Sequence, residues 1–579
     1  MDAHAQRIND IFNGNRFLEI PYFQRAYVWN EQQWERLLED MENISTNSRP
    51  YFMGSVILKQ KPTPSGAKVG DVRTVIDGQQ RLTTLNLFFK VLGLKTGDNY
   101  LLKDLFRVHF PSVNGLKELS LRHSHNDIEM FNHIMNMDSI EDLSGNSDRI
   151  SKAYTYFVNN VNPEKLNYYS ILNNILFIGI DVAVDEDEQQ IFDTINSLGV
   201  TLTTAELLKN YFFNRDYDSY CLYWKDVFEK DESTKKYWDT EIVTGRFRRS
   251  FIDLFFYAYL QIKIQEPQAT GNVTTEDKIE FSRVETLFES YKKFIKNYCV
   301  NKQQMLQEIK EYALVFANSF DPSILDRELT DKPGMDRMNA IIFGLDNSTL
   351  IPYVLYVLHE QKDNDEIRHL FNFIETFIVR RIIVRANNKN YNQLFTDRCI
   401  LNKIITRDLF QEYINNQTED DTVNKMPSDK ELQYAFANQV YVNKTAASIL
   451  YFIETKIRDR NKYSTQLLGL NKYSLEHMMP KKWRNHWGQL DTKEEQDRRD
   501  KLLLTLGNLT IITQSLNAAI RDAEWQVKLK GKENKGGLKR YGTGIQIAED
   551  ALSKDVWDEQ AIELRGQYLY DLAVHIFLV

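Results

Sequence analysis

The sequence predicts a predominantly helical α+β chain built from two or three domains. Three observations carry this reading. The first two hundred residues mix strand-like runs with helical patterns, the stretch from 216 to about 415 is helical and rich in aromatic residues, and the C-terminal segment has apolar residues at helical spacing. At 579 residues the chain also exceeds what one hydrophobic core commonly supports.

In chain order, FMGSVIL (52–58) and VRTVID (72–77) read as strands, and KPTPSGAKVG between them has the Pro, Gly and Ser content of an exposed hairpin loop. Leu82, Leu85, Phe89 and Leu92 then recur on one face of a helix. RSFIDLFFYAYLQIKI and HLFNFIETFIVRRIIV indicate a packed helical middle region, and the polar stretch NNQTEDDTVNKMPSDKE reads as a linker. Trp557, Ile562, Leu569 and Ala573 predict a closing amphipathic helix. The expected division is therefore 1–215, a helical middle region with linker over 216–430, and a last domain over 431–579.

Composition narrows the class. The apolar content of 42% is ordinary, and no stretch approaches the roughly 20 apolar residues of a membrane span. The start, MDAHAQRINDIF, lacks a basic segment followed by an apolar one, so a cytoplasmic protein that engages no membrane is expected. Cys221, Cys299 and Cys399 are far apart, which disfavours disulfides and a CxxC zinc site; any metal would be held by oxygen and imidazole. The net charge of -9 argues against a uniformly nucleic-acid-binding surface. Local basic runs nevertheless occur at Lys481, Lys482 and Arg484 and from Lys528 to Arg540; charge alone leaves open a phosphate-binding face or a solvated one.

In Val75-Ile76-Asp77-Gly78-Gln79-Gln80-Arg81 a β-branched run meets a helical one. Asp77 is expected to cap the helix and Gly78 to permit the turn. A helix start at the end of a strand offers unpaired N–H groups to a phosphate, and Arg81 would add a forked cation. An ordinary capped turn explains the same residues. Ile20 to Trp29 alternates aromatic residues with Gln24 and Arg25, as either a base-stacking surface or a half-buried strand would. Phe192 to Gly199 is followed by Thr203 and Glu206 at capping-box spacing, with Lys209 just beyond.

Taken in order, PYFQRAYVW, FMGSVIL, DGQQR and FDTINSLGVTLTTAELLKN resemble the N-terminal domain of the GmrSD family of type IV, modification-dependent restriction endonucleases. The resemblance implies a ParB/sulfiredoxin-like fold that binds and hydrolyses a nucleoside triphosphate, with GTP, ATP, UTP and CTP not distinguished. It places Asp77, Gly78, Gln79, Gln80 and Arg81 at the nucleotide, together with Gln24, Arg25 and Lys209. No GxxxxGK[ST] is present, so a P-loop is not involved.

The second constellation is Leu475-Glu476-His477-Met478-Met479-Pro480, then Leu506-Gly507-Asn508 before the strand-like LTII, then Asn517, where a helix is expected to start at about 517. By itself a His beside a Glu is commonly structural. With the later segments the arrangement resembles the HNH, or ββα-metal, nuclease motif. That resemblance makes His477 the general base, Glu476 and Asn517 ligands of Mg²⁺ or Mn²⁺, and Asn508 the residue that orients the catalytic loop. Lys481, Lys482 and Lys528 are the candidate nucleic-acid contacts. The trailing Trp525 and Lys528 and the terminal helix around Trp557 and Arg565 also resemble the GmrSD C-terminal domain. Met478 replaces a branched aliphatic residue, and Asp522 stands where the family often has Asn. Arg380 and Arg381, followed by Asn387, Asn388, Asn390 and Asn392, fit the family as well, and a structural role is the expectation there.

The function expected is a nucleotide-regulated, divalent-metal-dependent DNA endonuclease of anti-phage defence that cleaves modified DNA. A homodimer would supply two nicking sites. One alternative is a nucleotide-responsive nuclease acting on unmodified DNA or RNA or targeted by a partner protein; another is a non-catalytic nucleotide-binding scaffold.

Overall fold

FMGSVIL and VRTVID become paired strands in the computed structural model, which describes residues 2–12, 16–21, 24, 26–47, 49–62, 71–110, 116–123, 127–182, 203–213, 216–244, 247–416, 424–463, 466–485, 487–520, 522–532, 535–541 and 544–579. The first compact unit is Met1–Trp224. Its sheet contains β1 (Asp2–Arg7), β2 (Arg16–Glu19), β3 (Tyr51–Gln60), β4 (Asp71–Asp77), β5 (Leu121–Arg122) and β6 (Ile175–Val182), in the order β1-β6-β3-β4-β2-β5. β3 and β4 pair antiparallel, as the hairpin reading requires; β6 runs parallel to β3, and β2 parallel to β4. The loop at 63–70 lies outside the described residues.

Flanking helices of this unit are α1 (Glu31–Asn47), α2 (Gln79–Thr96), α3 (Ile128–Asn136), α4 (Arg149–Asn160) and α5 (Thr204–Phe213). The apolar spacing in α2 predicts one buried face, yet every residue from Leu82 to Gly93 is buried. The helix is enclosed because it packs against α3 and α4 as well as contributing to the core under the sheet. Thr203 and Glu206 do form the expected reciprocal cap on α5, with Thr203 N–H donating to Glu206 and Glu206 N–H to Thr203.

The second unit, Lys225–Val579, is mainly helical. The expected boundary at 430/431 falls inside the helix Asp429–Asn438, which packs on the terminal helix Glu559–Ile576, so the middle and C-terminal regions belong to one unit. Charged side chains tie its interior. Arg337 grips Glu375 in a two-pronged pair at 2.7 and 2.5 Å, and Glu454 accepts from Arg458 and from the N–H groups of Gln546 and Ile547. Arg381 donates to the carbonyls of Asn387 and Lys425, while Arg380 donates to the Phe577 carbonyl and pairs with Asp429. Both arginines are 1% exposed, in keeping with the structural role expected of them.

Within this unit β7 (Tyr473–His477) pairs antiparallel with β8 (Leu509–Thr513), and α6 (Gln514–Ile520) follows directly. The helix thus begins at Gln514 rather than near 517, and Asn517 lies in its middle. The terminal helix, α7 (Glu559–Ile576), buries Ile562, Arg565, Gly566, Leu569 and Ala573. Gly507 abuts that helix so closely that an added Cβ would sit 2.2 Å from the Ile562 carbonyl oxygen. Gly507→Ala is expected to destabilise the protein by about 1–3 kcal/mol through overpacking against backbone, measured as a lowered thermal or denaturant midpoint.

Candidate functional sites

The two units each carry one polar constellation. In the second unit it is organised around Asn508, which is 0% exposed. Its Nδ2 donates to the carbonyls of Met479 and Leu503 at 2.8 and 3.0 Å. Its Oδ1 accepts from Met479 N–H at 2.8 Å and from Trp557 Nε1 at 3.0 Å. The Asn508 carbonyl also accepts from Met478 N–H. The chain leaving β7 is thereby fixed to the chain entering β8, and His477 stands at the held end. Arg565 completes the support: its Nη1 donates to the carbonyls of Leu506, Gly507 and Leu509 at 2.8 to 3.0 Å. Burial pushes this guanidinium down to about 10, so it remains charged at neutral pH.

Strand alternation puts Ser474 and Glu476 on one face of β7 and His477 on the other. Asn517 lies on the Ser474 face, where its Nδ2 donates to Ser474 Oγ at 3.1 Å and to the Leu475 carbonyl at 3.0 Å. Among the described residues its Oδ1 has no hydrogen-bond partner. Glu476 is 4% exposed and paired with Lys528, which is 1% exposed and also donates to the His477 carbonyl at 2.7 Å. Lys528 was expected among nucleic-acid contacts; the structure instead buries its ammonium beneath the strand, where it holds two consecutive residues. Lys481 and Lys482 are exposed, as a phosphate-contacting role requires.

Burial pushes the Glu476 carboxyl up, opposed by Lys528, with Asp522 adding a smaller upward effect. Burial also lowers the His477 imidazole to about 4, helped by Lys481 and Lys528, so the ring is neutral at physiological pH. No hydrogen-bond partner holds that ring among the described residues, which leaves a nitrogen lone pair for a proton. Among the described residues no group of three or more His, Cys, Asp or Glu side chains is placed to hold a metal ion. The oxygen donors that are present, the Glu476 carboxylate, the Asn517 amide and Asp522, suit a hard divalent cation that keeps several waters.

In the first unit the DGQQR segment runs from the end of β4 into α2. Gly78, not Asp77, is the capping residue, in the left-handed region at φ +99. A Cβ there would meet Val56 Cγ2 at 2.9 Å. Asp77 turns instead to Ser55, whose hydroxyl donates to it at 2.9 Å, and to Arg81 at 3.6 Å. Arg81 donates to the Ser55 carbonyl at 2.9 Å and passes Gly54, which at φ +114 has no Cβ to obstruct the guanidinium. Gly54 and Ser55 escaped the sequence reading as site residues; the available signal was a glycine inside an apolar strand. The two glutamines fasten backbone. Gln80 Oε1 accepts from the N–H groups of Val28 and Trp29, and Gln24 Nε2 donates to the carbonyls of Val75 and Ile76. Gln79 is buried at the start of α2, and Lys209 is buried on α5 with its ammonium 5.9 Å from the Trp224 ring centre. Arg25 and the Phe192–Gly199 segment lie outside the described residues.

The first unit thus carries a glycine-capped strand-to-helix turn and the second a clamped strand–strand–helix. The family model described as the GmrSD restriction endonuclease N-terminal domain matches residues 8–213, and that of the GmrSD C-terminal domain matches residues 426–572. The chain belongs to the GmrSD restriction endonuclease family. It is also similar to an uncharacterized protein, MJ0686, of Methanocaldococcus jannaschii, 23% identical over 264 residues; the match spans 38% of this chain and 42% of that protein. No described helix is long and apolar enough to cross a membrane.

The buried pair gives a stability prediction. Lys528→Met would leave the Glu476 carboxylate buried without its cation and is expected to cost about 3–5 kcal/mol. Lys528→Met combined with Glu476→Gln is expected to recover much of that loss, as read by denaturant unfolding of the four members of the cycle.

Proposed function

We propose that this chain is a nucleotide-regulated, divalent-metal-dependent HNH endonuclease that cleaves modified phage DNA. In this reading a ParB/sulfiredoxin-like N-terminal domain binds and hydrolyses a nucleoside triphosphate. The observation that carries the nuclease reading is the Asn508 clamp, which fixes the chain at His477; because His477 and the donors Glu476 and Asn517 lie on opposite faces of β7, the reading requires base and cation to meet a phosphate at the end of that strand.

His477 accepts the proton of the attacking water, since its lone pair is free at neutral pH. Asn508 and Arg565 act through position: they hold the loop so that the imidazole keeps its direction toward a scissile phosphate. Lys481 and Lys482 attract the DNA backbone. Glu476 and Asn517, with Asp522 beside them, would hold Mg²⁺ or Mn²⁺. When bound, such a cation neutralises charge on the phosphate and on the departing oxygen. In the N-terminal domain the first-turn N–H groups of α2 and the Arg81 guanidinium receive the nucleotide phosphates, and Asp77 orients Arg81.

Two outcomes test this reading. His477→Ala should reduce phage-DNA cleavage in Mg²⁺ or Mn²⁺ by at least about 100-fold, the scale of a lost general base, while nucleotide turnover persists. Cleavage at the parent rate would refute the assigned base. Arg81→Ala should lower phosphate release from nucleoside triphosphates at least about tenfold, with Arg81→Lys intermediate because it keeps charge without the fork. Turnover unchanged in both would remove the nucleotide from this turn.

A further inference from the structure

A cleft of about 670 Å³ opens in the first unit between the start of α1 and the outer side of α4. We propose that it binds a single nucleotide unit, and that this unit is an unstacked nucleotide of the DNA substrate. The assignment to DNA rests on the nuclease reading above. The volume suits one nucleotide rather than a metal or a bare phosphate.

The lining supplies each part of such a ligand. Tyr156 presents a half-buried ring at 5.8 Å from Trp34, a platform on which a base can stack. Asn30, Gln32 and Asn159 also line the cleft; the Asn30 Oδ1 accepts from the Gln32 N–H, leaving its Nδ2, while Gln32 and Asn159 each carry a donor and an acceptor, the combination that base edges require. Thr155 also lines the wall, with its hydroxyl oxygen buried behind it and unpartnered among the described residues. Arg149 and Lys152, nearly one turn apart on α4, are exposed and enter no ion pair among the described residues, so they are available to a phosphate. Glu31 also lines the cleft, and Glu35 and Glu39 act with it on the Tyr156 hydroxyl, so the phosphate is assigned to the Arg149 and Lys152 side and the base to the Tyr156 side. Glu31 disfavours a simple anion but can accept from a ring N–H or an exocyclic amino group.

The cleft is wired to the DGQQR helix. Trp34 Nε1 donates to Tyr27 Oη at 2.8 Å, Tyr27 Oη meets Thr84 Oγ1 at 2.7 Å, and Thr84 donates to the Gln80 carbonyl at 2.7 Å. Asn30 directly follows Val28 and Trp29, the two residues whose N–H groups Gln80 holds.

The test uses the full-length chain carrying His477→Ala, so that DNA stays intact, and fluorescence anisotropy with a 20-nucleotide single strand, a 20-base-pair duplex, ATP and GTP as probes. Tyr156→Ala should weaken single-strand binding at least about tenfold, and Tyr156→Phe should retain it. Arg149→Glu with Lys152→Glu, both on an exposed helical face that leaves the core intact, should weaken the same probe. A loss confined to ATP or GTP would assign the cleft to a free nucleotide and overturn the DNA source. Binding of all four probes within twofold of the parent by both the Tyr156→Ala and the double-charge variants would overturn the cleft while leaving the nuclease reading standing. A parent that binds no DNA would sink both.

Discussion

The strand–strand–helix of the second unit depends on one carboxamide. Asn508 has a donor end facing two carbonyls and an acceptor end facing two N–H groups, and the four partners come from three separate segments of chain. A buried amide is costly when its bonds are unmade and specific when all are made. Reversing it would set donors against donors at Met479 and Trp557, so only one orientation satisfies the surroundings. That requirement fixes the path of the chain past His477 without any contact to the imidazole itself.

Buried charge plays the complementary part. Lys528 beneath β7 and Arg565 behind the Leu506–Asn508 turn are both essentially inaccessible, yet each has acceptors for its charge. Such groups seldom add net stability relative to a well-packed apolar core, because desolvation consumes most of the Coulombic gain. What they add here is registration. An ammonium that must meet the Glu476 carboxylate and the His477 carbonyl together permits one placement of those consecutive residues, and a guanidinium that must meet three carbonyls permits one shape of turn.

How much of this was legible in the sequence follows from the range of the interactions. The β3 and β4 strands, the turn at Gly78, the Thr203–Glu206 cap and the terminal helix rest on neighbours in sequence, and their residue patterns announce them. The clamps do not, because Asn508 reaches Trp557 49 positions away and Lys528 reaches Glu476 52 positions away. Lys528 looked like a surface cation because charge in a sequence carries no record of burial. Arg565 did leave a trace, as a charged residue on the apolar face of an amphipathic helix. Asp77 was misread as a cap because the turn is made by a left-handed glycine, which takes over the capping position and frees the carboxylate for Ser55 and Arg81.

The same device recurs in the first unit, where Gln80 holds the Val28 and Trp29 N–H groups with its oxygen and the Ala26 carbonyl with its nitrogen. In both places a neutral amide performs the fastening, next to a charged or titratable residue, Arg81 or His477, that takes no part in it. The division of labour has a physical reason. A carboxamide gives and accepts hydrogen bonds at once and does not titrate, so the fastening it makes does not depend on a protonation state. A carboxylate or imidazole in the same position would change its bonding with every proton gained or lost, and the loop it held would lose one of its fixed partners.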